Sequence, residues 1–126
     1  MILRIALFTA AATLMLVQEA ARGHHSFAVE FTAEETATIR GVVAEVWFKN
    51  PHVRYYVDVK NEDGETQRWD TRGSSPSLLV RRGWTKDTIT PGDVVTIKGH
   101  VGRDDKRLLS IISVELADGT KLGQDY

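Results

Sequence analysis

The sequence predicts a small all-β domain: a five-stranded OB-like Greek-key barrel with one short helix between strands three and four. Three observations predict it. Five segments rich in β-branched and aromatic residues are separated by clusters of Gly, Pro, Asn and Asp. The first segment is long, apolar on both parities and interrupted by Gly41, as expected of a strand that bends to serve both halves of a barrel. A single helix signal falls between the third and fourth segments, the order of strands and helix in that barrel. An open β-roll of the same elements is the competing architecture.

The first 23 residues read as a signal-peptide helix preceding the domain. Arg4 supplies one positive charge, and Ile5 to Val17 is a thirteen-residue apolar and small-residue run. A membrane-spanning helix needs about 20 such residues. Ala21 and Gly23 stand at the minus-three and minus-one places of an A-x-G cleavage site, so residues 24–126 are expected to form the mature domain, with no stable membrane span left after cleavage.

Phe27, Val29 and Phe31 alternate with smaller or polar residues and suggest a short strand or extended arm, followed by a turn over 32–35. The first confident strand is Thr36–Phe48. On simple alternation Ile39, Val43 and Trp47 share one side of it, and Val42, Val46 and Phe48 the other. Pro51 ends it, because proline has no N–H for the ladder. The second strand, His52–Lys60, alternates cleanly. Val53, Tyr55, Val57 and Val59 face the core, and His52, Arg54, Tyr56 and Asp58 face away. Asn61-Glu62-Asp63-Gly64 is a hairpin turn leading into Glu65–Thr71, centred on Trp69. In Ser75-Pro76…Gly83, serine caps a short helix, proline takes its first position and glycine stops it, with Arg81 and Arg82 in the last turn. Trp84 is expected to plug one end of the barrel. Pro91-Gly92-Asp93 turns into the strand Val94–Val101, in which His100 faces solvent. A polar loop then leads to Leu108–Leu116, and Asp118-Gly119 allows a short final pairing at Lys121-Leu122.

Composition narrows the function. With no cysteine, disulfides, thiolate metal sites and cysteine nucleophiles are excluded. Removing residues 1–23 takes away Arg4, Arg22 and Glu19, which moves the formal net charge from −1 to −2. Such a faintly acidic domain is not expected to bind nucleic acid, which calls for clustered positive charge. Neither G-x-S-x-G nor a phosphate loop ending in Gly-Lys-Ser/Thr is present, so no enzyme is predicted; the remaining route to catalysis is a copper redox centre at His24.

Two candidate sites remain. Cleavage after Gly23 would leave His24 with a free amine beside its own imidazole, next to His25. With His52 at the entrance of the second strand, these are nitrogen ligands of the type that suits copper or zinc, copper first. The second site is the outward face of the second and third strands, carrying Arg54 and Tyr56 with Arg68 and Trp69, the usual ligand surface of an OB barrel.

His24-His25-Ser26-Phe27 after a signal peptide, Asn50-Pro51-His52, Arg82-Gly83-Trp84 and Pro91-Gly92-Asp93 together resemble a family of small exported bacterial proteins of unknown function. The resemblance spans about residues 24 to 122. It implies a periplasmic OB-like protein, places the family's histidines at His24, His25 and His52, and carries no activity with it. Val53-Arg54 departs from the more apolar or aromatic pair expected after Asn-Pro-His. The sequence thus leads to a periplasmic binding domain that holds copper or zinc through His24, His25 and His52. The alternative is a non-metal adaptor that takes an unidentified periplasmic protein or small ligand on its second and third strands.

Overall fold

The computed structural model describes residues 27–123. Its strands are β1 (Phe31–Trp47), β2 (Arg54–Lys60), β3 (Thr66–Arg72), β4 (Val94–Gly102), β5 (Leu108–Leu116) and β6 (Lys121–Gly123), with helix α1 (Pro76–Arg81) between β3 and β4. They form one sheet in the order β3-β2-β1-β4-β5-β6. A parallel pairing of Asp70–Arg72 in β3 with Leu108–Ser110 in β5 closes it into a barrel. This is the predicted OB-like barrel, with β6 added along β5.

β1 joins the two halves. Its first half pairs with β4 and its second with β2, both antiparallel, and the handover falls at Gly41 and Val42. A Cβ on Gly41 would lie 2.3 Å from the carbonyl oxygen of Asp58, so only glycine lets β2 approach this closely. The hairpin between β2 and β3 closes where Gly64 takes a φ of 80°, with its N–H donating to Asn61 O at 3.0 Å.

The strand alternation turns directly into a core. Val53, Tyr55 and Val57 point inward and meet Ile39 and Val43 from β1, Val95 and Ile97 from β4, and Leu109 and Ile111 from β5. Val53 precedes β2 but already pairs: its N–H donates to Ser74 O at 3.0 Å, and its carbonyl accepts from Gly73 N–H at 2.8 Å. Helix α1 covers this core with Leu79. It starts where Pro76 follows Ser75, whose Oγ accepts from Leu78 N–H at 3.4 Å. Trp84 is 1% exposed and lies against Tyr55 with ring centroids 6.3 Å apart.

Three local expectations are corrected. Residues 27–30 form a helical turn, not a strand. Residues 32–35 belong to β1, where the expected turn is a break in register between Phe31 and Thr36. His100 is half-buried between Thr36 of β1 and Ser110 of β5. Among the described residues, no helix is long and apolar enough to cross a membrane.

Candidate ligand-binding face

A β-bulge decides what the outer face of β1–β2–β3 carries. The register of β1 against β2 slips between Val43 and Glu45. Ala44 is the extra residue, so Val43 and Val46 both turn inward while Glu45 and Trp47 turn outward. Simple alternation puts Trp47 with Ile39 and Val43; the bulge moves it to the surface, where it is 43% exposed. The signal that misleads is the sequence period itself, which cannot show one unpaired residue.

The face is then a grid. Trp47, Arg54 and Arg72 form one row across the three strands, and Glu45, Tyr56 and Asp70 the next. Val42, Asp58 and Arg68 form the third. Beyond it Arg40, Lys60 and Thr66 line a shallow depression of ≈ 470 Å³. Trp47 donates its indole N–H to the Glu45 carboxylate and meets Tyr56 edge to face, with centroids 6.3 Å apart and planes at 74°. Lys49 Nζ sits 5.0 Å from the Trp47 ring centroid.

Two of the face's three carboxylates, Asp58 and Asp70, are matched by its own arginines. Arg68 makes a two-point contact with Asp58 at 2.8 and 3.0 Å. Its hydrogen bonds hold the Asp58 carboxyl below the usual aspartate range and raise Arg68 in return. Arg54 Nη1 donates to Asp70 Oδ2 at 3.0 Å, and Arg72 Nε lies 3.7 Å from the same oxygen. Asp70 thereby bridges two like charges that stand directly opposite each other in the ladder. Burial raises the Asp70 carboxyl above its usual range, against the pull of both arginines.

Of the four residues expected on this face, Arg54, Tyr56 and Arg68 share it. Trp69 does not. It stands opposite Val57 in the register and packs partly buried against the core cluster, because it lies one residue out of phase with Arg68. The sequence reading missed Trp47, Glu45, Asp70 and Arg72, of which the last two follow from extending the alternation of Arg68 along β3.

Of the three expected metal ligands, His24 and His25 lie outside the described residues. His52 is exposed, two residues ahead of Arg54, with Nδ1 3.2 Å from the carbonyl oxygen of Gly73. Among the described residues, no group of three or more His, Asp or Glu is placed to hold a metal ion.

Residues 11–109 match the family described as "Family of unknown function (DUF6152)". The chain belongs to this family. No curated protein gives a significant match. Among solved structures, the chain is similar to the mitochondrial single-stranded DNA binding protein Rim1 of S. cerevisiae. One crystal form gives a TM-score of 0.51 at 13% identity, covering 66% of this chain and 93% of that one. A second form gives 0.50 at 13% identity, covering 72% and 98%. At that identity the likeness shows the OB-type fold alone.

Proposed function

We propose that this DUF6152 protein is an exported, periplasmic binding domain without catalysis of its own, and that its working surface is the outer face of β1–β2–β3. One observation carries this reading: Trp47 stands on the surface, ordered by Glu45 and Tyr56 beside Arg54, where the core gains nothing from it. Exposed tryptophan, tyrosine and arginine held in fixed geometry are the residue types that dominate binding energy when a partner covers them. In OB barrels this is also the face on which ligands are held. A photo-crosslinking residue placed at Tyr56 or at Lys98, on the outer side of β4, tests the reading in the exporting cell. Adducts are expected from position 56 and not from 98. Equal adducts, or adducts from 98 alone, would overturn it.

A second reading has its own support. The Gly73 carbonyl can only accept, so Nδ1 of His52 carries the hydrogen. In the neutral ring this leaves the lone pair on Nε2, on an exposed side chain. A backbone carbonyl behind one ring nitrogen is how metal-binding histidines are oriented. Together with His24 and His25 at a processed N-terminus, His52 would bind a transition metal, copper before zinc. Copper titration of correctly processed protein should show one tight site that His52→Ala weakens. Equal binding by protein carrying an extra residue before His24 would contradict a role for the terminal amine.

A further inference from the structure

The chemistry of the β1–β2–β3 face narrows what binds there, and this step rests on the reading of that face as the binding surface. Three features act together. The first is shape. The depression at Arg40, Val42 and Lys60 is shallow and open, whereas small-molecule sites enclose most of their ligand's surface. The second is residue type. Trp47 and Tyr56 make an apolar patch that Val42, 44% exposed, extends along the face, with arginines around it, the make-up of a protein–protein interface. The third is charge. Arg40, Lys49, Arg54, Lys60, Arg68 and Arg72 share this face with Glu45, Asp58 and Asp70, a formal surplus of three positive charges on a chain whose net charge is −1.

The carboxylates are each already engaged within the face: Asp58 by Arg68, Asp70 by Arg54 and Arg72, and Glu45 by the indole N–H of Trp47. The surplus comes from its two ends, Lys49 beside Trp47 and the Arg40–Lys60 depression. An apolar centre with a cationic group at each end suits an extended segment with an apolar or aromatic residue flanked by carboxylates. β2 is seven residues long, so the surface accommodates about seven residues at ~3.3 Å each. Interleaved carboxylates make the potential patchy, unlike the continuous basic track that follows a nucleic-acid backbone.

We propose that the outer face of β1–β2–β3 docks an acidic segment of a partner protein, its apolar residue on Trp47, Tyr56 and Val42 and its carboxylates towards Lys49 and Lys60. The contact is small beside the ~800 Å² per partner of a standard interface, so it is a weak, salt-sensitive one.

The test uses the full processed protein and a dye-labelled peptide of about seven residues, glutamates around one phenylalanine, read by fluorescence anisotropy. Lysine and serine versions and a thymidine oligonucleotide are the competing probes. The glutamate peptide should bind tightest and weaken as salt rises through ~0.15 M. Lys49→Glu with Lys60→Glu should cost roughly tenfold in affinity. Lys98→Glu with Lys121→Glu, the same charge change on the strands away from this face, should cost less than about twofold. Equal losses in the two double variants, tighter binding of the oligonucleotide, or no preference for glutamate over serine would each overturn the proposal. Continued crosslinking from position 56 alongside such a result would leave the binding face standing and remove only its acidic partner. Loss of both would remove the face as well.

Discussion

Two aromatic pairs lie on opposite sides of one strand. Tyr55 of β2 meets Trp84 inside the barrel, and Tyr56, the next residue, meets Trp47 outside it; both pairs have ring centroids 6.3 Å apart. Distance does not separate the pairs, but the ring planes, at 31° inside and 74° outside, and the surroundings do. Tyr55 and Trp84 are each 1% exposed and belong to the core cluster. The Tyr55 hydroxyl is buried without a hydrogen-bond partner among the described residues, and burial pushes its pKa up. Trp47 and Tyr56 are bordered by charges and water. The inner pair fills volume in the core, and the outer pair leaves Trp47 43% exposed. On the proposed reading, β2 serves stability with one face and binding with the other.

Breaking the inner pair should have the largest effect. Trp84→Ala removes a fully buried ring and should cost about 3–5 kcal/mol in denaturant unfolding. Gly41→Ala tests the backbone both faces depend on. Its Cβ would press on the Asp58 carbonyl, and the cost should be about 1–3 kcal/mol. Tyr55→Phe should go the other way, since it removes a buried unpartnered hydroxyl and keeps the ring. A gain of about 1 kcal/mol is expected, with no corresponding gain from Tyr56→Phe. If Tyr55→Phe destabilises, the hydroxyl has a partner and the contrast between the two tyrosines weakens.

The smallest effect concerns Asp58 and Arg68 on the outer face. Arg68 holds the Asp58 carboxyl below its unfolded value of about 3.9, so the contact's contribution is fully present above that pH. It is lost as pH falls through the depressed folded value. Melting temperature followed into acid should therefore converge for the parent and Arg68→Ala. A gap that widens with acidification would contradict the pairing. Exposure makes this contribution minor beside that of Trp84.

The inner face was readable in the sequence and the outer face only in part. Val53, Tyr55 and Val57 alternate without interruption, so their burial follows from a period of two. Ser75-Pro76 and Asp63-Gly64 are local signals whose chemistry fixes the local backbone, and both elements formed as read. Trp69 is expected on the outer face and packs inward, whereas Trp47, grouped by alternation with Ile39 and Val43, stands outward. A bulge at Ala44 displaces Trp47 outward, and bulges are set by how two strands pair, which a single strand's pattern does not contain. Trp69 follows strict alternation in β3, whose register with β2 is unbroken, and its inward position agrees with that of Val57 opposite. The Arg54–Asp70–Arg72 bridge depends on cross-strand neighbours 16 and 18 residues from Arg54. It became visible once the strands were paired. His52 emerged with its Nδ1 engaged by Gly73, a contact between a strand entrance and the loop after β3.

The most direct test is Trp47→Ala, measured for thermal stability and for crosslinking from position 56 on the same preparations. The binding-face account predicts a stability change of about 1 kcal/mol or less, together with loss of the adducts seen with the parent. A protein that melts far below the parent would show that Trp47 serves the fold. Unchanged adducts from a stable variant would show that the face binds nothing through it.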